Sequence, residues 1–210
     1  MKKKLFFLLF LSIPSDYALA QSHSKALKIL ERISQPDTFQ TVFVYILREP
    51  HKEDQEEIQG KVMVKENKYR LTLGGQIVIN NGETVWTYLP AANEVYISNY
   101  YPVQKALSPV KLLTIYRQGF LPIALKTQSI HNQLCDVVDL IAAGQESLLT
   151  KISLAIERKT GQLKELKAWD GNEALHTFVI TAFEPNIALD DSCFSFNPKD
   201  YEDIEVIDLR

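Results

Sequence analysis

The sequence predicts a mainly β fold of the α+β class, with about ten to eleven strands in one antiparallel sheet and two helices. Three observations carry this prediction. Short runs rich in β-branched and aromatic residues recur at hairpin spacing along most of the chain. Strands and helices do not alternate, so no βαβ unit and no parallel sheet is indicated. Outside the N-terminal leader, only two stretches carry apolar residues at helical spacing.

The elements follow in order. Lys2, Lys3 and Lys4 precede an apolar run from Leu5 to Ile13, and Ala18-Leu19-Ala20 closes the segment with an A-x-A signature. Residues 1–20 therefore read as a secretory signal peptide cleaved near Ala20. The apolar run is much shorter than the ~20 residues a membrane-spanning helix needs. Ser22 or Ser24 is placed to cap a helix carrying Ala26, Leu27, Leu30 and Ile33, which ends near Ser34-Gln35-Pro36. Strands are then expected over 38–48, 58–65, 69–73, 76–80, 85–89 and 94–99. Asn81-Gly82 is the strongest hairpin signal in the chain. Ser108-Pro109 opens a second, apolar helix that Gly119 would stop. Strands resume over 133–142, 151–158, 162–169 and 174–184, with a last short one over 193–196.

Residues 21–210 fit one domain with a sizeable core. The net charge of −3 gives no basic face for nucleic acid. Cys135 and Cys193 leave two readings open, a disulfide closing a long loop in an oxidising compartment or two buried free thiols.

The chain shows no motif for catalysis. His23, His51, His131 and His176 make no metal-binding spacing. There is no G-x-S-x-G elbow and no glycine-rich nucleotide loop. The acidic runs 54–57 and 200–205 read as solvated loop and tail. No catalytic residue, metal site or cofactor is expected, and the chain is not read as an enzyme.

The apolar patterning is more informative. Tyr69, Leu71 and Leu73 alternate with Arg70 and Thr72. The strand 38–48 puts Phe39, Phe43, Tyr45 and Leu47 on one face and Val42, Val44 and Ile46 on the other. Such alternation gives a curved sheet with one apolar concave face. Two helices cover only part of it. The remainder is either an ordinary filled core or a lined cavity.

The run Gly60 to Lys65, then Tyr69-Arg70-Leu71, then Asn81-Gly82-Glu83-Thr84-Val85-Trp86-Thr87-Tyr88-Leu89-Pro90 resembles the LolA-like family of periplasmic lipoprotein carriers. Lys159-Thr160-Gly161 and the closing Phe194-Ser195-Phe196-Asn197-Pro198 fit the same pattern. The resemblance implies an incomplete antiparallel β-barrel whose helices cover a hydrophobic cavity. It implies a periplasmic monomer that binds acylated lipoproteins or other lipid. The donor would be an inner-membrane ABC transporter complex and the acceptor would lie at the outer membrane. A lipid-sensing or protein-interaction module on the same fold is the alternative. Carried over by position, the candidate cavity wall or lid comprises Phe43, Tyr69, Leu71, Val78, Trp86, Tyr88, Leu112, Leu113, Ile115 and Tyr116. For each of these, plain core is the competing role. One departure stands out. The family's Arg-Pro pair after the basic strand end is absent, and Lys65 is followed by Glu66-Asn67.

Overall fold

The computed structural model describes residues 15–33, 36–52, 54–101, 119–144 and 147–210, with the side chains of the first helix given from His23 onward. Helix α1 (Ser15–Glu31) precedes six strands, β1 (Thr38–Arg48), β2 (Glu56–Lys65), β3 (Lys68–Leu73), β4 (Gln76–Asn80), β5 (Thr84–Leu89) and β6 (Glu94–Asn99). A second run follows with β7 (Phe120–Ile130), β8 (Gln133–Ala142), β9 (Leu149–Glu157), β10 (Leu163–Asp170) and β11 (Leu175–Pro185). The chain closes with β12 (Glu205–Asp208). All twelve strands form one open sheet in the order β12-β6-β5-β4-β3-β2-β1-β11-β10-β9-β8-β7. Each run is an antiparallel meander, and the β1–β11 pair joins the two at the centre.

The expected class is observed, with twelve strands rather than ten or eleven. Two strands escape the sequence pattern for physical reasons. Strand β7 contains Pro122, whose missing N–H argues against a central strand, and the structure places β7 at the sheet edge with a register shift at Pro122/Ala124. Strand β12 is four residues within an acidic tail, and it pairs parallel with β6. The strand expected over 193–196 is instead a 3₁₀ turn over Asp191–Phe194, capped by Asp190, whose side chain accepts from the Ser192 N–H. Helix α1 starts at Ser15, upstream of the expected Ser22 or Ser24 cap. Ala18, Leu19 and Ala20 are strong helix formers, and no breaker separates them from the amphipathic stretch. The second helix expected after Ser108 lies outside the described residues.

Alternation along the strands sorts the side chains onto two faces. On the inner face, Ala26 and Ile29 of α1, with Ile33 just beyond its end, join one core with Phe43, Val62, Leu71, Val138, Leu140, Leu154, Leu166 and Phe178. Each fully buried Ile or Leu in that cluster contributes roughly 1.5–3 kcal/mol relative to exposure. Phe43 is central. It is 1% exposed, and its ring lies 5.6 Å from that of Phe178 on the neighbouring strand. On its other side it faces Gly60 across the β1–β2 pair. A Cβ at residue 60 would run into the Phe43 ring, so only glycine leaves room for it.

The outer face is covered over β3–β6 by the segment that follows β11. Phe196, Tyr201 and Ile204 pack there against Ile79, Val95, Trp86 and Tyr88. Ion pairs fasten the segment. Lys65 Nζ donates to Asp191 Oδ1 at 2.7 Å and Lys68 Nζ to Asp191 Oδ2 at 3.0 Å. Asn80, fully buried, is satisfied on both ends of its amide, donating to Asn67 O at 3.0 Å and accepting from Gly82 N at 2.8 Å. That amide ties the β2–β3 turn to the β4–β5 turn.

Two outcomes are expected. Gly60→Ala forces a buried ring out of its place and should destabilise the fold by about 1–3 kcal/mol, read from the urea midpoint. Hydrogen bonds from Lys65 and Lys68 hold the Asp191 carboxyl below its ordinary range. A depressed folded pKa adds stability above the unfolded carboxylate value, and that stability is lost as pH falls through the folded one. Asp191→Asn should therefore lower the melting temperature at neutral pH. The gap to the parent should close on acidification below the ordinary aspartate range; a gap constant with pH would refute this account.

Candidate functional site

The inner face of β1–β4 is the candidate site. Register places Phe43, Tyr69, Leu71 and Val78 on it together, through the pairs Val64–Tyr69, Val62–Leu71 and Leu71–Val78. Phe43 and Leu71 are buried in the core, at 1% and 5% exposure. Tyr69, Leu73 and Val78 pack against that core but remain partly exposed. They form the surface of the wall, while Phe43 and Leu71 stand behind it. Burial raises the Tyr69 phenol above its ordinary pKa, so the ring stays neutral in the working range of most proteins. Helix α1 lies over the same face but packs most closely against β7, at the far side of the sheet. His23 Nδ1 lies 3.2 Å from the Pro122 carbonyl there.

Trp86 and Tyr88 sit elsewhere. Trp86 pairs with Ile79, and Tyr88 with Ile77, so both point opposite to Val78. Tyr88 packs on Phe196 and Tyr201, at ring distances of 5.3 and 4.9 Å. The hairpin signature and the F-x-F motif are thus two halves of one outer-face cluster, and neither aromatic lines the inner wall. The period of two in a strand decides this, because residues 78 and 87 face each other and residue 86 or 88 must face away. Leu112, Leu113, Ile115 and Tyr116 lie outside the described residues.

The two cysteines are free thiols. Cys135 is on β8 and Cys193 lies in the turn against β3, with β2, β1, β11, β10 and β9 between them. Six strand spacings amount to roughly 29 Å along the sheet, far beyond the ~7 Å limit for Cα atoms joined by a disulfide. The reading of two free thiols therefore replaces the bonded one, although only Cys135 is fully buried. Burial and the neighbouring Glu157 push its thiol pKa up, so it is a poor nucleophile.

The polar groups have distinct positions. Lys65 alternates with Val64 and so points to the outer face, where it serves the C-terminal segment. Arg70 also points outward, toward the Cys193 carbonyl at 3.5 Å. On the inner face, Tyr45, His176 and Asp170 form a chain that sequence reasoning did not find. Tyr45 Oη lies 2.8 Å from His176 Nδ1, and His176 Nε2 lies 3.5 Å from Asp170 Oδ2. No sequence signal marks it, since Tyr45 and His176 are 131 residues apart and meet only through the β1–β11 pairing. Among the described residues, no three or more His, Cys, Asp or Glu side chains are grouped to hold a metal ion. Among the same residues, no helix is long and apolar enough to cross a membrane.

An open sheet with a hydrophobic inner wall and a helix along one side defines a binding scaffold. The family model described as outer membrane lipoprotein carrier protein LolA matches residues 34–197, and the chain belongs to that family. No curated protein matches the chain. Among solved structures, an uncharacterised conserved protein from Thermus thermophilus superposes with a TM-score of 0.54 at 12% identity, covering 88% of this chain and 99% of that one. A LolA superfamily protein from Nitrosomonas europaea gives a TM-score of 0.42 at 14% identity, covering 81% and 97%. The Mycobacterium tuberculosis lipoprotein LppX gives 0.43 at 16% identity, covering 84% and 100%.

The placement of the aromatics has a measurable consequence. Tyr88→Ala should cost about 2–4 kcal/mol of stability by opening the outer-face cluster. It should leave binding at the inner wall unchanged once compared at a temperature where both proteins are folded. A large fall in acyl-chain affinity with unchanged stability would overturn this assignment.

Proposed function

We propose that the chain is an exported periplasmic carrier that holds lipid acyl chains, in particular those of lipoproteins, and ferries them from the inner to the outer membrane. Family membership over residues 34–197 supports a lipid or lipoprotein role. The observation that carries the reading is the inner wall. Tyr69, Leu73 and Val78 share one face, keep part of their surface accessible, and pack against the buried core. An acyl chain gains about 0.8 kcal/mol for each CH₂ it buries, so a chain of ordinary length needs no covalent bond to be retained. The same arithmetic explains why a carrier is needed, since the chain crosses water only if shielded.

The leader fits this role, because removal near Ala20 would release the chain into the periplasm. In the structure, α1 runs through that position from Ser15 to Glu31, so cleavage would shorten the helix and leave Ala26, Ile29 and Ile33 in place on the core. A donor complex in the inner membrane and an acceptor at the outer membrane complete the route. The wall needs no cofactor to act in this way, and transfer changes no covalent bond.

The test is direct binding. The purified protein should bind a fluorescent diacylated peptide with 1:1 stoichiometry. Val78→Glu, a charge on the exposed part of the wall, should weaken binding at least tenfold, since an unpaired charge against a hydrocarbon chain costs more than ~1.4 kcal/mol. Failure of the parent protein to bind any acylated peptide would refute the carrier reading and leave the interaction-module alternative.

A further inference from the structure

The chain Tyr45–His176–Asp170 is an arrangement that a purely apolar wall does not need. Tyr45 stands on the inner face beside Phe43, and its ring packs 5.0 Å from that of Phe178. His176 is stacked on it at 6.0 Å. Both lie near the end of the sheet where β10 turns into β11, and the side chains of His176 and Asp170 are only 15% and 19% exposed.

With His176 taken as the neutral imidazole, the far end of the chain sets the direction of its hydrogen bonds. Asp170 Oδ1 accepts backbone N–H bonds from Asn172 at 2.8 Å and Ala174 at 2.9 Å. A carboxylate with that role accepts through its other oxygen as well. The proton between Asp170 and His176 therefore belongs to His176 Nε2. A neutral imidazole protonated at Nε2 has a bare lone pair at Nδ1. In that tautomer the Tyr45 hydroxyl, 2.8 Å away, donates to it. With its single proton engaged, the Tyr45 oxygen presents only lone pairs to the inner face.

We propose that Tyr45, oriented by His176 and Asp170, is a polar anchor on the inner wall that accepts a hydrogen bond from the amide N–H at the head of an N-acyl chain. The inference rests on the carrier reading and adds a selectivity to it. An ester-linked chain offers only acceptors, which face the lone pairs of Tyr45 without a proton between them. Surrounding charge points the same way. Burial, with Glu56 and Asp170 behind it, raises the Tyr45 pKa, so the phenol stays neutral and the site disfavours an anionic head. His176 and Asp170 act as positioning residues.

A matched pair of ligands tests this on the full chain. N-lauroylglycine methyl ester and its oxygen analogue, methyl O-lauroylglycolate, differ only in N–H against O. Calorimetric titration of the parent protein should give about five- to tenfold tighter binding of the amide, the ratio one hydrogen bond supports. Tyr45→Phe should bring the ratio close to one while retaining binding of both. A purely structural tyrosine would change stability and leave the ratio alone. Equal binding of the two ligands by the parent protein would overturn the anchor and leave the carrier reading standing, and that arm needs no variant to fold. A ratio unchanged in Tyr45→Phe would also overturn it. Binding of neither ligand would overturn both readings.

Discussion

The pairing of β1 with β11 is the contact on which the rest depends. It joins a strand near the start of the domain to one more than 120 residues later, from Phe39 opposite Pro185 to Arg48 opposite Leu175. Closing so long a loop is entropically unfavourable, and such non-local pairing is intrinsically slow to form. Side-chain contact across the seam offsets that cost. Phe43 and Tyr45 both pack on Phe178, at 5.6 and 5.0 Å, and Thr41 donates to the Ala182 carbonyl at 2.8 Å. The same seam brings His176 to Tyr45. Without it there would be two separate meanders, and the core that backs the wall, which draws on both, would not be assembled.

The sheet then has two faces with different tasks. Over β8–β10 the outer face combines a small buried cluster of Cys135, Val137 and Ala155 with polar pairs, Ser153 donating to Asp139 at 2.6 Å, Lys164 beside Glu157 at 3.3 Å and Lys167 beside Glu165 at 2.7 Å. Over β3–β6 it is sealed by the aromatic cluster of the C-terminal segment. The inner face collects the large apolar side chains of both meanders. Exposed ion pairs contribute little each. The Asp191 clamp is better understood as fixing where the terminal segment crosses β2 and β3 than as a main source of stability.

Much of this was legible in the sequence where the signal is local. Alternation in Tyr69-Arg70-Leu71-Thr72-Leu73 gave the inner face of β3 directly, and Asn81-Gly82 marked the hairpin between β4 and β5. Trp86 and Tyr88 were recognisable as a motif, but a motif does not state a face. One residue of register separates the inner wall from the outer cluster, and register is set by the partner strand. Strand β7 was hidden by Pro122, which is tolerated only because the strand lies at the edge. The Tyr45–His176–Asp170 chain was invisible because its members share no spacing. Two of them meet across strands, and the third reaches His176 from the other side of the β10–β11 turn. Geometry of that kind is a property of topology and cannot be read from periodicity.

The absence of the family's Arg-Pro pair takes on a structural meaning in this frame. At the end of β2 the available cation is Lys65, and strand alternation turns it outward to Asp191 and the Leu189 carbonyl. The wall formed by Ile58, Val62, Val64, Tyr69, Leu71, Leu73 and Val78 carries no charged side chain. Any segment lying on it is held through apolar contact, in proportion to the area covered. Contact of that kind is not screened by salt, whereas an ion pair made by an arginine at the end of β2 would weaken as ionic strength rises.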